Sequence, residues 1–127
     1  MSAEKPKLLY VDDEPFNLTL FKALFRKKFE LLVAESGDEG IKIFESHPDV
    51  NVVISDMRMP NMDGVQFVKK IKNINKKTPC FILTGFNESK DLVDAVNKEL
   101  IIKTFHKPLD KDQIEDEILN FLNNNSN

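Results

Sequence analysis

A chain of 127 residues, 41% hydrophobic and 31% charged, is long enough for one domain and can bury a sizeable core. Eighteen Lys and Arg against twenty-one Asp and Glu leave a net charge of −3, which argues against a general nucleic-acid binder. A single cysteine, Cys80, excludes an internal disulfide and every multi-cysteine zinc arrangement, and no apolar run approaches the ~20 residues that span a bilayer. The opening MSAEKPK carries no signal-peptide core.

In chain order, residues 8–11 form the first apolar stretch, a near-continuous run of the kind expected of a strand covered on both faces. Pro15 suits the first turn of a helix that carries Phe21, Leu24, Phe25 and Lys28 at three- and four-residue steps. A second strand is predicted over 31–34. Ser36 with Glu39 then makes a capping box ahead of a helix bearing Ile41 and Phe44. A strand over 50–54 precedes a helix marked by Val65, Val68 and Ile71. A strand over 81–83 precedes one marked by Leu92, Val93 and Val96. The fifth unit joins a strand over 101–105 to a helix with Ile114, Ile118, Phe121 and Leu122. The lysine pairs Lys27–Lys28, Lys69–Lys70 and Lys76–Lys77 are expected in or just beyond last helical turns, where they complement the helix dipole. Five β-α units with crossover connections imply an α/β domain over 1–127, a doubly wound parallel sheet with helices on both faces. Its core is expected over about 7–122, with a flexible tail at 123–127.

In an open α/β sheet, ligands bind beyond the carboxyl ends of the strands. After the first run come Asp12, Asp13 and Glu14; after the third, Asp56; after the fourth, Thr84 and Gly85; after the fifth, Lys107 and Pro108. Taken singly, each has an ordinary explanation. An acidic pair usually caps a helix, Asp56 could be a turn residue, Thr84 could end a strand and Lys107 could be solvated. Together they fall on one edge of the sheet. Three converging carboxylates repel each other unless a cation or protons intervene. All-oxygen ligands suit a hard cation, Mg²⁺ first and Mn²⁺ next. With metal and lysine present, Asp56 is the carboxylate best placed as nucleophile and Thr84 could donate to a phosphoryl oxygen.

These motifs resemble the receiver domains of two-component response regulators. The resemblance runs from Lys7 to about Leu122, through LLYVDDEP, VVISDMRMPNMDG around Asp56, ILTG at Thr84 and FHKP at Lys107. It implies a flavodoxin-like (βα)5 fold with strand order 2-1-3-4-5, most like a stand-alone, chemotaxis-regulator-like receiver. It also implies that Asp56 accepts a phosphoryl group from a histidine kinase or phosphotransfer protein. Asp13 would ligate Mg²⁺ directly and Asp12 through water, with the backbone carbonyl of Arg58 as a further ligand. Lys107 would contact the phosphoryl group, next to a cis bond to Pro108. The same groups would support slow autodephosphorylation. Thr84 and Phe105 resemble the family's switch pair, and the face that includes Lys103 would be read by an effector or a second receiver. Arg58 and Phe86 occupy positions that tune dephosphorylation; both are bulky and are expected to crowd attacking water. Gly85 departs from the small side chain common there and implies a looser loop. The resemblance further implies a cytoplasmic protein.

Elsewhere the residues call for structural roles. His47 is expected to cap a helix end, His106 defines no metal or relay site, and Cys80 is a buried strand residue. Met57, Met59 and Met62 fill the loop after Asp56. The first helix packs its phenylalanines inward, while Phe16 and Leu18 could reach its outer edge, where the resemblance places kinase docking. A receiver-like interaction module working without phosphorylation is the alternative, but it would need a degraded acidic pocket. A flavin or nucleotide binder would need a hydroxyl- or glycine-rich loop where this chain has DDEP, and a metal-dependent phosphatase would need an acid at Arg58. Whether an output domain is attached stays open.

Overall fold

The computed structural model describes residues 5–85 and 89–124. Five strands, β1 (Lys7–Val11), β2 (Glu30–Ala34), β3 (Val52–Asp56), β4 (Cys80–Thr84) and β5 (Lys103–His106), form one sheet in the order β2-β1-β3-β4-β5. Every pairing is parallel. Five helices alternate with them: α1 (Pro15–Phe25), α2 (Gly37–Ser46), α3 (Gly64–Ile74), α4 (Lys90–Asn97) and α5 (Lys111–Asn124). This is the expected flavodoxin-like order. All five strands therefore end along one edge.

Side chains alternate between two apolar layers, as strand geometry requires. Leu9, Val11, Val53 and Ile82 pack with Phe44 of α2, Phe67, Val68 and Ile71 of α3, and Leu92 and Ala95 of α4. Leu8, Tyr10, Val52, Ile54, Phe81, Leu83 and Phe105 pack with Leu18, Phe21 and Phe25 of α1 and Ile114 and Ile118 of α5. Cys80 is wholly buried, as expected, and burial pushes its thiol up to about 12.

Several elements differ in detail from the sequence expectation. Strand β3 starts at Val52 rather than Val50 and runs through Asp56, and β4 runs through Thr84, so both residues end strands instead of following them. Strand β5 begins at Lys103. Helix α1 stops at Phe25, so Lys28 is not helical. Helix α5 continues through Asn124, which takes residues 123 and 124 out of the expected tail; 125–127 lie outside the described residues. On α4 the buried residues are Leu92 and Ala95, while Val93 is exposed.

The helix ends show where local polar chemistry acts. Ser36 accepts from the Glu39 N–H, but the Glu39 carboxylate accepts from the Glu35 N–H, so this cap reaches one residue further back than a reciprocal box. The reciprocal box belongs to α3, between Asp63 and Gln66. Lys69 and Lys70 lie a turn too early to serve its C-terminus. Lys72 stands in the last turn instead, and donates to the carbonyls of Lys76 and Thr78 in the loop beyond it. His47 caps α2 through Nδ1 and the Ile43 carbonyl at 2.9 Å.

Candidate functional site

The parallel ladders carry the polar groups to one crevice. Asp12 continues β1, with its N–H on the Ala34 carbonyl; Met57 bonds the Leu83 carbonyl just past β3; Lys107 bonds the Thr84 carbonyl just past β5. Asp12, Asp13 and Asp56 each offer a carboxylate oxygen, and these lie within 4.8 Å of one another. Lys107 Nζ stands 2.8 Å from Asp56 Oδ1. A cavity of about 230 Å³ opens among Asp56, Met57, Arg58, Thr84, Gly85 and Lys107. The Lys107–Pro108 peptide is cis.

Asp12 is fully buried and Asp56 nearly so. Burial holds the Asp56 carboxyl above the usual carboxylate range. The hydrogen bond from Lys107 pulls it back, and the neighbouring Asp12 and Asp13 push it up again. Such a cluster gains from a cation. Its donors are all oxygens, with no histidine or thiolate among them, which fits a hard divalent ion.

The supports of the site are only partly visible in sequence. Tyr10 donates to Asp12 Oδ2 at 2.6 Å, Asn17 Nδ2 donates to the same oxygen at 3.2 Å, and the Glu14 N–H donates to Oδ1 at 3.0 Å. Burial and then the Asp12 hydrogen bond push the Tyr10 phenol far above its ordinary value. Strand alternation could have flagged Tyr10, two residues before Asp12 and hence on its face. Gly64 is a second support. Its N–H bonds the Met57 carbonyl, and a Cβ there would lie 2.6 Å from the Asp56 carbonyl oxygen. The turn before it places Asn61 at φ 69°, a left-handed conformation that asparagine tolerates.

The expected pairing of Thr84 with Phe105 is not what the fold builds. Phe105 stands beside Leu83 and stacks on Phe81, with centroids 5.5 Å apart, in the α1/α5 layer. Thr84 follows Leu83 and so points to the other face, where it lines a groove with Ser89, Asp91 and Leu92. The β5 residues on that face are Thr104, beside Ile82, and His106, beside Thr84. Phe105 is thus a core residue. The Lys107–Pro108 motif alone does not set whether Thr104 or Phe105 shares the face of Thr84.

Phe86 lies outside the described residues, and Arg58 lines the cavity beside Asp56. Phe16 is 73% exposed on α1, but Leu18, expected with it at the outer edge, is buried. Met57, Met59 and Met62 pack against the α2/α3/α4 layer. No described helix is long and apolar enough to cross a membrane.

Residues 8–119 match the family model of the response regulator receiver domain. The chain belongs to that family. The receiver is 30% identical over 123 residues to Sporulation initiation phosphotransferase F of Bacillus subtilis, covering 95% of this chain and 97% of that one. It is 36% identical over 115 residues to the transcriptional regulatory protein GlrR of Escherichia coli, covering 90% of this chain but only 26% of that protein. Among solved structures, a response regulator receiver domain protein from Clostridium thermocellum superposes with a TM-score of 0.84 at 33% identity, covering 95% of this receiver and 97% of that chain. The function class follows: two-component phosphorelay signal transduction.

Proposed function

We propose that Asp56 is the phosphoacceptor of a Mg²⁺-dependent switch. The observation that carries this reading is the convergence of Asp12, Asp13 and Asp56 within 4.8 Å beside a lysine 2.8 Å from the acceptor. Asp13, Asp56 and the Arg58 carbonyl would hold the metal directly, and Asp12 through water. A bound Mg²⁺ would supply the positive charge that lets a phosphoryl group enter among carboxylates. An Asp56 carboxylate oxygen forms the bond to phosphorus as the bond from phosphorus to the donor's histidine nitrogen breaks. Lys107 then pairs with the transferred phosphoryl oxygens instead of the carboxylate, and Thr84 donates its hydroxyl to them. Attack by water on the same phosphorus, as its bond to the Asp56 oxygen breaks, releases inorganic phosphate and restores the carboxylate, a slow autodephosphorylation whose approach Arg58 narrows.

Asp56 would take the group from a histidine kinase or histidine phosphotransfer protein in the cytoplasm. The match to Sporulation initiation phosphotransferase F supports such an exchange between proteins. Movement of Thr84 would be passed to Thr104 on the shared face of β4 and β5, and from there to an effector or a second receiver.

The test is incubation with a small phosphodonor, with and without Mg²⁺, followed by intact mass measurement. One phosphoryl adduct that requires Mg²⁺ and is absent in Asp56→Asn is expected. An adduct of equal yield in the mutant would overturn the assignment.

A further inference from the structure

Tyr10 has the geometry of a working part of the acid pocket. It is the one tyrosine in the chain, 1% exposed, and its ring lies flat on Phe21 with centroids 3.9 Å apart and planes 9° from parallel. A stacked, buried ring has little freedom to move its hydroxyl. That hydroxyl is 2.6 Å from Asp12 Oδ2, and Asn17 adds a second donor to the same oxygen. The Glu14 N–H occupies Oδ1. Asp12 is therefore held by three donors, whereas Asp13 takes part in no hydrogen bond among the described residues. The two neighbouring acids are unequal: one is pinned and the other is available.

We infer that Tyr10 is a positioning residue for Mg²⁺ binding, fixing the Asp12 carboxylate before the ion arrives. The inference rests on the proposed metal site. An unpinned Asp12 could rotate away from its two like-charged neighbours, and that freedom would have to be lost on each binding event. With the hydroxyl in place the rotation is already prevented. Outer partners of this kind typically alter metal affinity 10- to 100-fold when removed. Tyr10→Phe keeps the ring and its stack on Phe21, so it isolates the hydroxyl.

The experiment is calorimetric titration of the full chain with MgCl₂, beside proton NMR of the Tyr10 hydroxyl. Tyr10→Phe is expected to bind Mg²⁺ about 10-fold more weakly than the unaltered chain, near the low end of that range because Asn17 remains. In the unaltered chain the hydroxyl resonance, assigned by its loss in Tyr10→Phe, is expected to shift as Mg²⁺ saturates. A tyrosine whose hydroxyl is not held on the metal-binding carboxylate would not report the ion. Affinity within twofold of the unaltered chain, or a hydroxyl resonance unmoved at saturation, overturns the inference. The NMR arm stands if the variant folds poorly, because the hydroxyl of the one tyrosine is then assigned in the unaltered chain by its Overhauser contacts to the Tyr10 ring protons. Absence of any Mg²⁺ binding by the unaltered chain would instead overturn the metal site itself.

Discussion

Lys107 Nζ and Asp56 Oδ1 meet at 2.8 Å, joining the end of β5 to the end of β3 across the tip of β4. The pair holds the acceptor's charge in a place that is 8% exposed, while the lysine side chain keeps 34% of its exposure. Lys107→Ala should cost about 1–2 kcal/mol in urea unfolding without metal, less than the roughly 3–5 kcal/mol lost when a fully buried pair is broken. It should also slow phosphoryl uptake from a small donor by about 10-fold or more. An unchanged uptake rate would remove Lys107 from the reaction.

Gly64 is where the backbone leaves no room. Its missing Cβ would sit 2.6 Å from the Asp56 carbonyl oxygen and 3.0 Å from Met57 Cα, neither of which is a flexible side-chain end. Gly64→Ala should destabilise the fold by about 2–3 kcal/mol and displace the acceptor. Chemical denaturation gives the first quantity. The second is read as reduced phosphoryl uptake under conditions where the variant is still folded.

Asp13 should trade stability against metal affinity. It stands among like charges without a hydrogen-bond donor of its own among the described residues. Asp13→Asn is therefore expected to raise metal-free stability by about 1 kcal/mol while weakening Mg²⁺ binding at least 10-fold. Thermal unfolding with and without MgCl₂ checks both. A variant that loses stability without metal would contradict the repulsion.

Phe105 should behave as core. Phe105→Leu is expected to cost about 1–2 kcal/mol through lost contact with Phe81, with phosphoryl uptake and decay within twofold of the unaltered chain. Thr104→Ala should cost little stability yet change binding of the phosphorylated chain to its partner. If Phe105→Leu abolished partner binding at full folding, the opposite-face assignment would fail.

The far edge of the sheet predicts a pH response. Lys7 reaches Asp49 at 2.6 Å and Glu30 at 3.5 Å. The hydrogen bond from Lys7 holds the Asp49 carboxyl below its ordinary value of 3.8. The stabilisation is therefore complete above that value and disappears as pH falls through the lower, folded-state value. The acid limb of a plot of urea midpoint against pH should flatten in Asp49→Asn. Equal limbs would show that the contact is not maintained in solution.

Much of the fold was legible because both signals in it are local. Continuous apolar runs marked the strands and three- and four-residue spacing marked the helices, and strand ends then located Asp12, Asp13, Asp56, Thr84 and Lys107. Strand limits were less legible, since Ile101 is buried ahead of β5 and Asn123 continues a helix into a polar end. The face a β5 side chain takes is the least legible feature. Thr104 and Phe105 differ by one residue in a four-residue strand, and only the register against Ile82 and Leu83 separates them. Tyr10 escaped notice because, in sequence, it looks like one more apolar strand residue.

The two layers flanking the sheet differ in more than composition. On the α1/α5 side, Tyr10, Phe21, Phe25 and Phe29 run as successive ring contacts, and Phe81 joins Phe105 and Phe121. On the other side, three methionines border the acceptor loop beside a groove at the start of α4. Flat rings in contact resist sliding, whereas thioether chains change rotamer readily. A strain applied at Asp56 thus meets a stiff wall behind it and a yielding one in front. Of the two sides, the one with the methionines is therefore where repacking around the acceptor loop costs least.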